Sequence, residues 1–159
     1  MNLIFKTDQI IPKLKNATAF QVIGELVNHL VSIGKILPEA KEPISLAIKR
    51  RETSMSTGIG FGIAIPHADT DLINEVIVIF GRSVEGIDFD ALDKQPVRLV
   101  VLVIVPTREK QKHLLTLASI SRLLHNREIR VALQNARDAD AILNILNDRR
   151  ALAPILTPV

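Results

Sequence analysis

The chain contains no cysteine, tryptophan or tyrosine, and five phenylalanines make up its small aromatic content of 3%. Without cysteine, the protein can form neither disulfides nor zinc–thiolate sites, and chemistry based on a cysteine nucleophile is excluded. The scarcity of aromatic rings removes most of the surface on which nucleic-acid bases could stack. These absences favour a reducing compartment and a site built from other side chains.

The sequence also lacks long apolar runs and a large excess of charge of one sign. The strongest apolar run, residues 99–105, is too short to cross a bilayer, and the first residues lack the pattern of a secretion signal. The 20 basic and 17 acidic residues are interspersed and give a net charge of +3, which is weak support for a nucleic-acid partner. We therefore expect a cytoplasmic protein that is not membrane-embedded and binds no nucleic acid.

With 159 residues, 47% of them hydrophobic, and no repeat, the sequence predicts one compact domain over residues 1–159. Apolar spacing predicts helices, the first capped by Thr18 and the last by Asp138, at residues 19–33, 44–51, 109–125 and after residue 138. Short segments rich in Val, Ile and Leu predict strands at residues 63–65, 75–84 and 98–105. The fold class is therefore α/β, with a mixed sheet flanked by helices on both faces.

Three of the seven glycines, Gly58, Gly60 and Gly62, lie within five positions and lead into Pro66 and His67. Such runs often present backbone amides to anions, although a tight turn between a helix and a strand explains the same spacing. The run matches neither the dinucleotide fingerprint nor the nucleotide phosphate loop. His67 follows a proline at a predicted strand end, where α/β folds commonly place ligand sites, and is the leading candidate for a reactive residue.

The four histidines differ in their predicted surroundings. His29 lies in the first helix and His125 near a helix carboxyl end that favours a cation, so both are expected to be structural or solvated. His113 lies at the start of the helix that follows the central strand, and is expected at the same end of the sheet as His67. A metal site built from His67, His113 and Asp69 is an alternative, but nothing in their spacing demands it.

A neutral imidazole has a lone pair near pH 7, and a phosphoryl group on its nitrogen is labile and transferable. Phosphoryl transfer depends mainly on positioning and on electrostatic stabilisation of the oxygens. Arg51 is the best candidate cation, because a guanidinium binds two oxygens at once. Glu52 is expected to orient a neighbouring group or to solvate the turn, and not to act as a base. The predicted phosphoryl-binding loop comprises Ser56, Thr57, Gly58, Gly60 and Gly62.

Over nearly its whole length the chain resembles the enzyme IIA domains of the fructose and mannitol class in the bacterial phosphoenolpyruvate:sugar phosphotransferase system, including their nitrogen-regulatory branch. Three stretches carry the resemblance. They are residues 51–67 with Ser-Thr-Gly-Ile-Gly and Gly-Ile-Ala-Ile-Pro-His, residues 89–97 with Phe-Asp-Ala-Leu-Asp, and His113-Leu114 followed by Leu117.

The resemblance implies that His67 accepts a phosphoryl group from the phosphohistidine of an HPr-type carrier and donates it to a IIB component, without a metal or organic cofactor. It also implies that His113 is a second active-site histidine and that Arg51 steadies the phosphoryl charge. Two hypotheses share this chemistry: a IIA component of sugar uptake, and a regulator of the nitrogen type that controls protein partners. The glycine-rich and Phe-Asp-Ala-Leu-Asp stretches favour the regulator.

The sequence departs from the family pattern at three positions. Phe61 stands where many members have a small polar residue such as Asn, and Asp69 and Asp71 stand where a basic residue is common. Two carboxylates near a phosphohistidine would raise the local negative charge, which could slow phosphorylation or tune the choice of partner.

Overall fold

A computed structural model describes residues 5–148, in which six strands form one mixed sheet between two layers of helices. The strands are β1 (Ile10–Ile11), β2 (Gly58–Gly60), β3 (Ile63–Ala64), β4 (His67–Thr70), β5 (Ile77–Ile87) and β6 (Val97–Pro106). The helices are α1 (Ala19–Ser32), α2 (Lys41–Ser54), α3 (Lys110–His125), α4 (Arg127–Asn135) and α5 (Ala139–Leu146). Within the described part of the chain, none of these helices has the length and apolarity that a bilayer crossing requires.

Side chains that cap helix starts explain where two of the predicted helices begin. The Thr18 hydroxyl accepts a hydrogen bond from the Gln21 amide at the start of α1, and the Asp138 carboxylate accepts one from the Ala141 amide at the start of α5. Both capping predictions are confirmed. Helix α2 extends beyond the predicted 44–51 at both ends, so Arg51 lies in its last turn and the loop begins at Met55, not directly after Arg51.

Strand β6 lies at the centre of the sheet, antiparallel to β5 on one side and parallel to β3 and β4 on the other. Ile63 pairs with Leu99 and His67 with Val103, so β3 and β4 keep one register along β6. They are separated at Pro66, which has no N–H to donate to a ladder. The prediction that the strand ends at His67 is therefore wrong in one respect: strand pairing resumes at His67 and continues to Thr70.

Alternate residues of β6 face two separate cores, which explains why nearly every residue of this strand is apolar. One core packs against α1 and α2 and receives Val100, Leu102 and Ile104. The other packs against α3, α4 and α5 and receives Leu99, Val101, Val103 and Val105. Because His67 pairs with Val103, its side chain points toward the layer that contains α3.

Candidate active site

His67 is half-buried at the first position of β4, and its ring is held by a backbone group two residues earlier. Its Nδ1 atom lies 2.7 Å from the carbonyl oxygen of Ile65. A carbonyl oxygen only accepts hydrogen bonds, so Nδ1 carries the proton and Nε2 carries the lone pair. Nε2 is therefore the nucleophilic atom of this imidazole, a distinction that the sequence did not reveal.

The surroundings of His67 favour its neutral form. Burial lowers the pKa of His67 below its ordinary value of 6.5, the hydrogen bond from the ring to Ile65 raises it, and the nearby charges of Arg51 and His113 lower it further. The net shift of the pKa is downward. At neutral pH the ring is thus a neutral base with an available lone pair, as a nucleophile requires.

The structure brings His113 and Arg51 to His67. His113 lies in the first turn of α3, and its ring meets the His67 ring edge to face, with centroids 5.3 Å apart. Arg51 lies in the last turn of α2, where its Nη1 donates to the Met55 carbonyl oxygen at 2.7 Å. Arg51 and His113 are both near enough to His67 to lower its pKa.

The first two residues of the predicted phosphoryl-binding loop, Ser56 and Thr57, are held by side-chain hydrogen bonds. The Thr57 amide and hydroxyl donate to the two carboxylate oxygens of Glu52 at 2.9 and 2.6 Å. The Ser56 hydroxyl donates to the Phe89 carbonyl and accepts from the Gly58 amide at 3.0 Å. Glu52 thus orients a neighbouring group, as expected, and the amides of Thr57 and Gly58 already have partners within the protein.

The three glycines of the glycine-rich run lie in the β2–β3 hairpin, whose tip is directed away from His67. Gly62 precedes His67 by five residues of nearly continuous strand, about 16 Å at the usual rise, and Gly60 pairs with Ile63. Gly60 and Gly62 have φ values of 98° and 76°, which the hairpin turn uses. A Cβ on Gly58 would lie 2.8 Å from the Ala91 Cβ. The strand pairing therefore places Gly60 and Gly62 away from His67 and does not support their predicted part in the phosphoryl-binding loop. These glycines instead form the hairpin turn and allow its close packing.

Phe61 forms the tip of this hairpin and contacts the far end of α3. The Arg130 guanidinium lies 4.9 Å from the centre of the Phe61 ring, and the His125 ring meets it edge-on at 5.8 Å. Twelve helical residues, about 18 Å, separate His125 from His113. Phe61 and His125 consequently lie at the opposite end of α3 from His67.

His29, predicted to be structural, places its Nε2 atom 2.7 Å from the carbonyl oxygen of Asp8. Asp69 is exposed and follows His67 by two strand residues, which puts both on the same side of β4, whereas Asp71 lies beyond the end of that strand. Within residues 5–148, no group of three or more His, Asp or Glu side chains is arranged to hold a metal ion.

Fold and site together define a small α/β domain in which a neutral histidine with a free Nε2 lone pair lies beside a second histidine and near an arginine. The chain belongs to the EIIA 2 family of the phosphoenolpyruvate-dependent sugar phosphotransferase system, whose family model matches residues 3–149. The resemblance inferred from the motifs is confirmed. EIIA domains are phosphoryl-transfer components, so the chain has a phosphotransferase role.

Its relatives carry the names of both branches. The chain is 36% identical to the fructose-specific EIIA component of Haloferax volcanii, over 82% of this chain and 83% of that protein. It is 32% identical to a nitrogen regulatory protein of Bradyrhizobium diazoefficiens, over 87% and 89% of the two chains. It is 41% identical, over 79% of its length, to the fructose-specific EIIABC component of Bacillus subtilis, of which it spans only 20%.

Solved structures named for both branches also superpose on this chain. The nitrogen regulatory protein IIA-Ntr of Neisseria meningitidis superposes with a TM-score of 0.81 at 25% identity, over 90% of this chain and 96% of that one. The IIA mannitol enzyme of Escherichia coli, solved in complex with phosphorylated IIB mannitol, superposes with a TM-score of 0.75 at 25% identity, over 89% and 96%. The α/β fold with a mixed sheet is thereby confirmed.

Proposed function

We propose that this protein is a phosphocarrier whose acceptor atom is Nε2 of His67. The observation that carries the proposal is the hydrogen bond between His67 Nδ1 and the Ile65 carbonyl, which leaves the lone pair on Nε2. In the transfer, Nε2 attacks the phosphorus of the phosphohistidine of an HPr-type carrier. A new N–P bond forms while the old one breaks, and the carrier imidazole keeps the released electron pair.

The neighbouring residues suit a transferring phosphoryl group. Arg51 and His113 place positive or proton-donating groups beside the ring, where three phosphoryl oxygens would carry negative charge. Ser56 and Thr57 lie at the end of the hairpin that is nearer to His67, and their side chains hold its backbone in place. In this proposal the loop contributes to the site by fixing its shape.

The destination of the phosphoryl group distinguishes two forms of the proposal. We favour a regulator of the nitrogen type, which signals to a partner protein through its phosphorylation state. The superposition on IIA-Ntr, with a TM-score of 0.81, supports this form. The alternative is a IIA component that donates to a IIB domain in fructose- or mannitol-type uptake. Identities of 41% and 36% to fructose-specific components support that alternative.

Phosphorylation of the purified protein by phosphoenolpyruvate, enzyme I and HPr tests the acceptor. We expect one acid-labile phosphoryl group per chain, and its complete loss in His67→Ala. The matched control is His125→Ala, since His125 lies on the same helix layer but at the far end of α3, and this variant should accept normally. Undiminished labelling of His67→Ala would refute the assignment.

Addition of a fructose-type or mannitol-type IIB domain to the phosphorylated protein separates the two forms. Rapid loss of the phosphoryl group to IIB, at the rate that a sugar-specific IIA supports, is expected of an uptake component. A regulator should retain most of its label under these conditions and release it slowly.

A further inference from the structure

Glu52 is a buried carboxylate that the proposed transfer reaction does not itself use. Only 7% of its surface is exposed, and within residues 5–148 no basic side chain forms an ion pair with it. Both of its oxygens instead accept hydrogen bonds from Thr57, one from the amide and one from the hydroxyl. A buried carboxylate is costly unless it is bonded, so this pairing must be made in the folded protein.

Three hydrogen bonds in series connect Glu52 to the reactive ring. Glu52 accepts from the Thr57 amide at 2.9 Å, and the Thr57 carbonyl accepts from the Ile65 amide at 3.1 Å. The Ile65 carbonyl then receives Nδ1–H of His67 at 2.7 Å. Thr57 and Ile65 are therefore each fixed at both their N–H and their C=O, at the point where Pro66 interrupts the strand.

The same contacts fix the cation relative to the ring. Glu52 directly follows Arg51 in the last turn of α2, and its bonds to Thr57 tie this helix end, through Thr57, to the segment between β3 and β4 that carries Ile65. A shift of Thr57 would move the Ile65 carbonyl away from Nδ1 and would move the end of α2. Small misplacements of reacting groups have large effects on transfer rates.

We propose that Glu52 is a positioning residue that holds the Ile65 carbonyl against His67 and thereby keeps the ring in the Nδ1–H tautomer with Nε2 free. The importance of this role for transfer rests on the proposed function. The tautomer itself is a property of the unphosphorylated protein and is measured without any transfer.

Nitrogen NMR of ring-labelled histidine reports the tautomer directly, together with the rate of phosphoryl acceptance from phospho-HPr. The wild type should show protonated Nδ1. Glu52→Leu removes both acceptors at similar volume, and we expect a mixture of tautomers and acceptance slower by about tenfold or more. Glu52→Gln keeps the shape and an oxygen for the Thr57 amide, so it should retain the wild-type tautomer and a rate within about threefold.

Gln9→Leu is the matched control for loss of a buried polar contact. Gln9 is also 7% exposed and accepts from the Lys6 amide at 3.0 Å, but it precedes β1, which is separated from β4 by β5 and β6. This variant should lower the melting temperature and leave the His67 tautomer and rate unchanged. If Glu52→Leu behaves in the same way, Glu52 is merely structural and the proposal is overturned.

Where Glu52→Leu does not fold, Glu52→Asp replaces it. Its side chain is shorter by one methylene and falls short of the Thr57 amide, the first bond of the series to His67, so the same change of tautomer is expected, and an unchanged tautomer and rate would equally overturn the proposal. If the wild type accepts no phosphoryl group at all, the proposed function fails, while the comparison of tautomers still decides the role of Glu52.

Discussion

The rings of His67 and His113 meet edge to face, with centroids 5.3 Å apart and planes inclined by 79°. His67 begins a strand and His113 begins a helix, so the contact joins the sheet to the layer that covers it. The His67 ring therefore has a second imidazole as its direct neighbour.

The first prediction concerns the protonation of His67. Since the pKa of His67 is lowered from 6.5, the ring is mostly neutral at pH 6.5, and the midpoint of the decline in phosphoryl acceptance should lie below that pH. Arg51→Gln removes one cause of the lowering, so the titration midpoint of His67 should rise in an NMR titration. Arg50→Gln, which changes the exposed neighbouring cation, is the control and should leave the midpoint unchanged. Equal midpoints in Arg51→Gln and the wild type would contradict this view of the site.

The second prediction separates the two histidines. His113→Gln should still accept a phosphoryl group on His67 but pass it on more slowly, by about a hundredfold if His113 acts in proton transfer or charge stabilisation. Rapid-quench measurement of both half-reactions gives the two rates. His125→Gln alters the other end of the same helix and should not affect either rate. A wild-type transfer rate in His113→Gln would remove His113 from the mechanism.

The third prediction concerns the acidic residue beside the ring. Asp69 lies two strand residues from His67, about 6.6 Å along β4, and would repel a phosphoryl group on that side. In water this repulsion is weak, so Asp69→Asn should accelerate acceptance by about two- to threefold at low salt and by less at high salt. Asp71→Asn, beyond the strand end, should have a smaller effect. Equal acceleration in both variants would point to net charge and not to this position.

The fourth prediction concerns Phe61, which has a φ of 58° at a turn position that Asn and Gly ordinarily occupy. Phe61→Asn should relieve about 1 kcal/mol of backbone strain and lose about 0.5–1 kcal/mol of contact with Arg130 and His125. The unfolding free energy should consequently change little. Phe61→Leu loses the ring contacts without relieving the strain, so denaturation should show a loss of about 0.5–1 kcal/mol.

Both Phe61 variants should accept phosphoryl groups at the wild-type rate, because the hairpin tip lies at the opposite end of α3 from His67. Slow acceptance by a well-folded Phe61→Asn would show that the tip reaches the carrier protein during docking.

The starts of two helices were predictable from the sequence because each depends on a capping residue close in the chain. Thr18 and Asp138 cap helices through bonds that span only three residues, so their patterns were readable in the sequence. Helix α4 was not predicted, although Asn126 caps it by accepting from the Ile129 amide, and Ile129 and Leu133 have helical spacing. Its signal was present but short, since α4 begins two residues after α3 ends.

The candidate site residues that lie in one continuous sequence motif were predictable. His67 and Arg51 lie in one continuous motif, and the structure brings them together. The direction of the glycine-rich run was not predictable, because only the pairing of β2, β3 and β6 shows that Gly60 and Gly62 lead away from His67. The role of the Ile65 carbonyl was also not predictable, because every residue type has a backbone carbonyl and the sequence does not show which one meets the ring.

The register of β4 on β6 has a further consequence for assembly of the site. A slip by one residue would turn His67 toward α1 and α2, and would force Ala68 out of the core that it fills there. The core against α1 and α2 would then lose Ala68. The His67 ring is thus oriented by the same pairing and packing that hold β4 in the sheet, so a molecule that has completed its folding has no separate step in which this histidine must find its place.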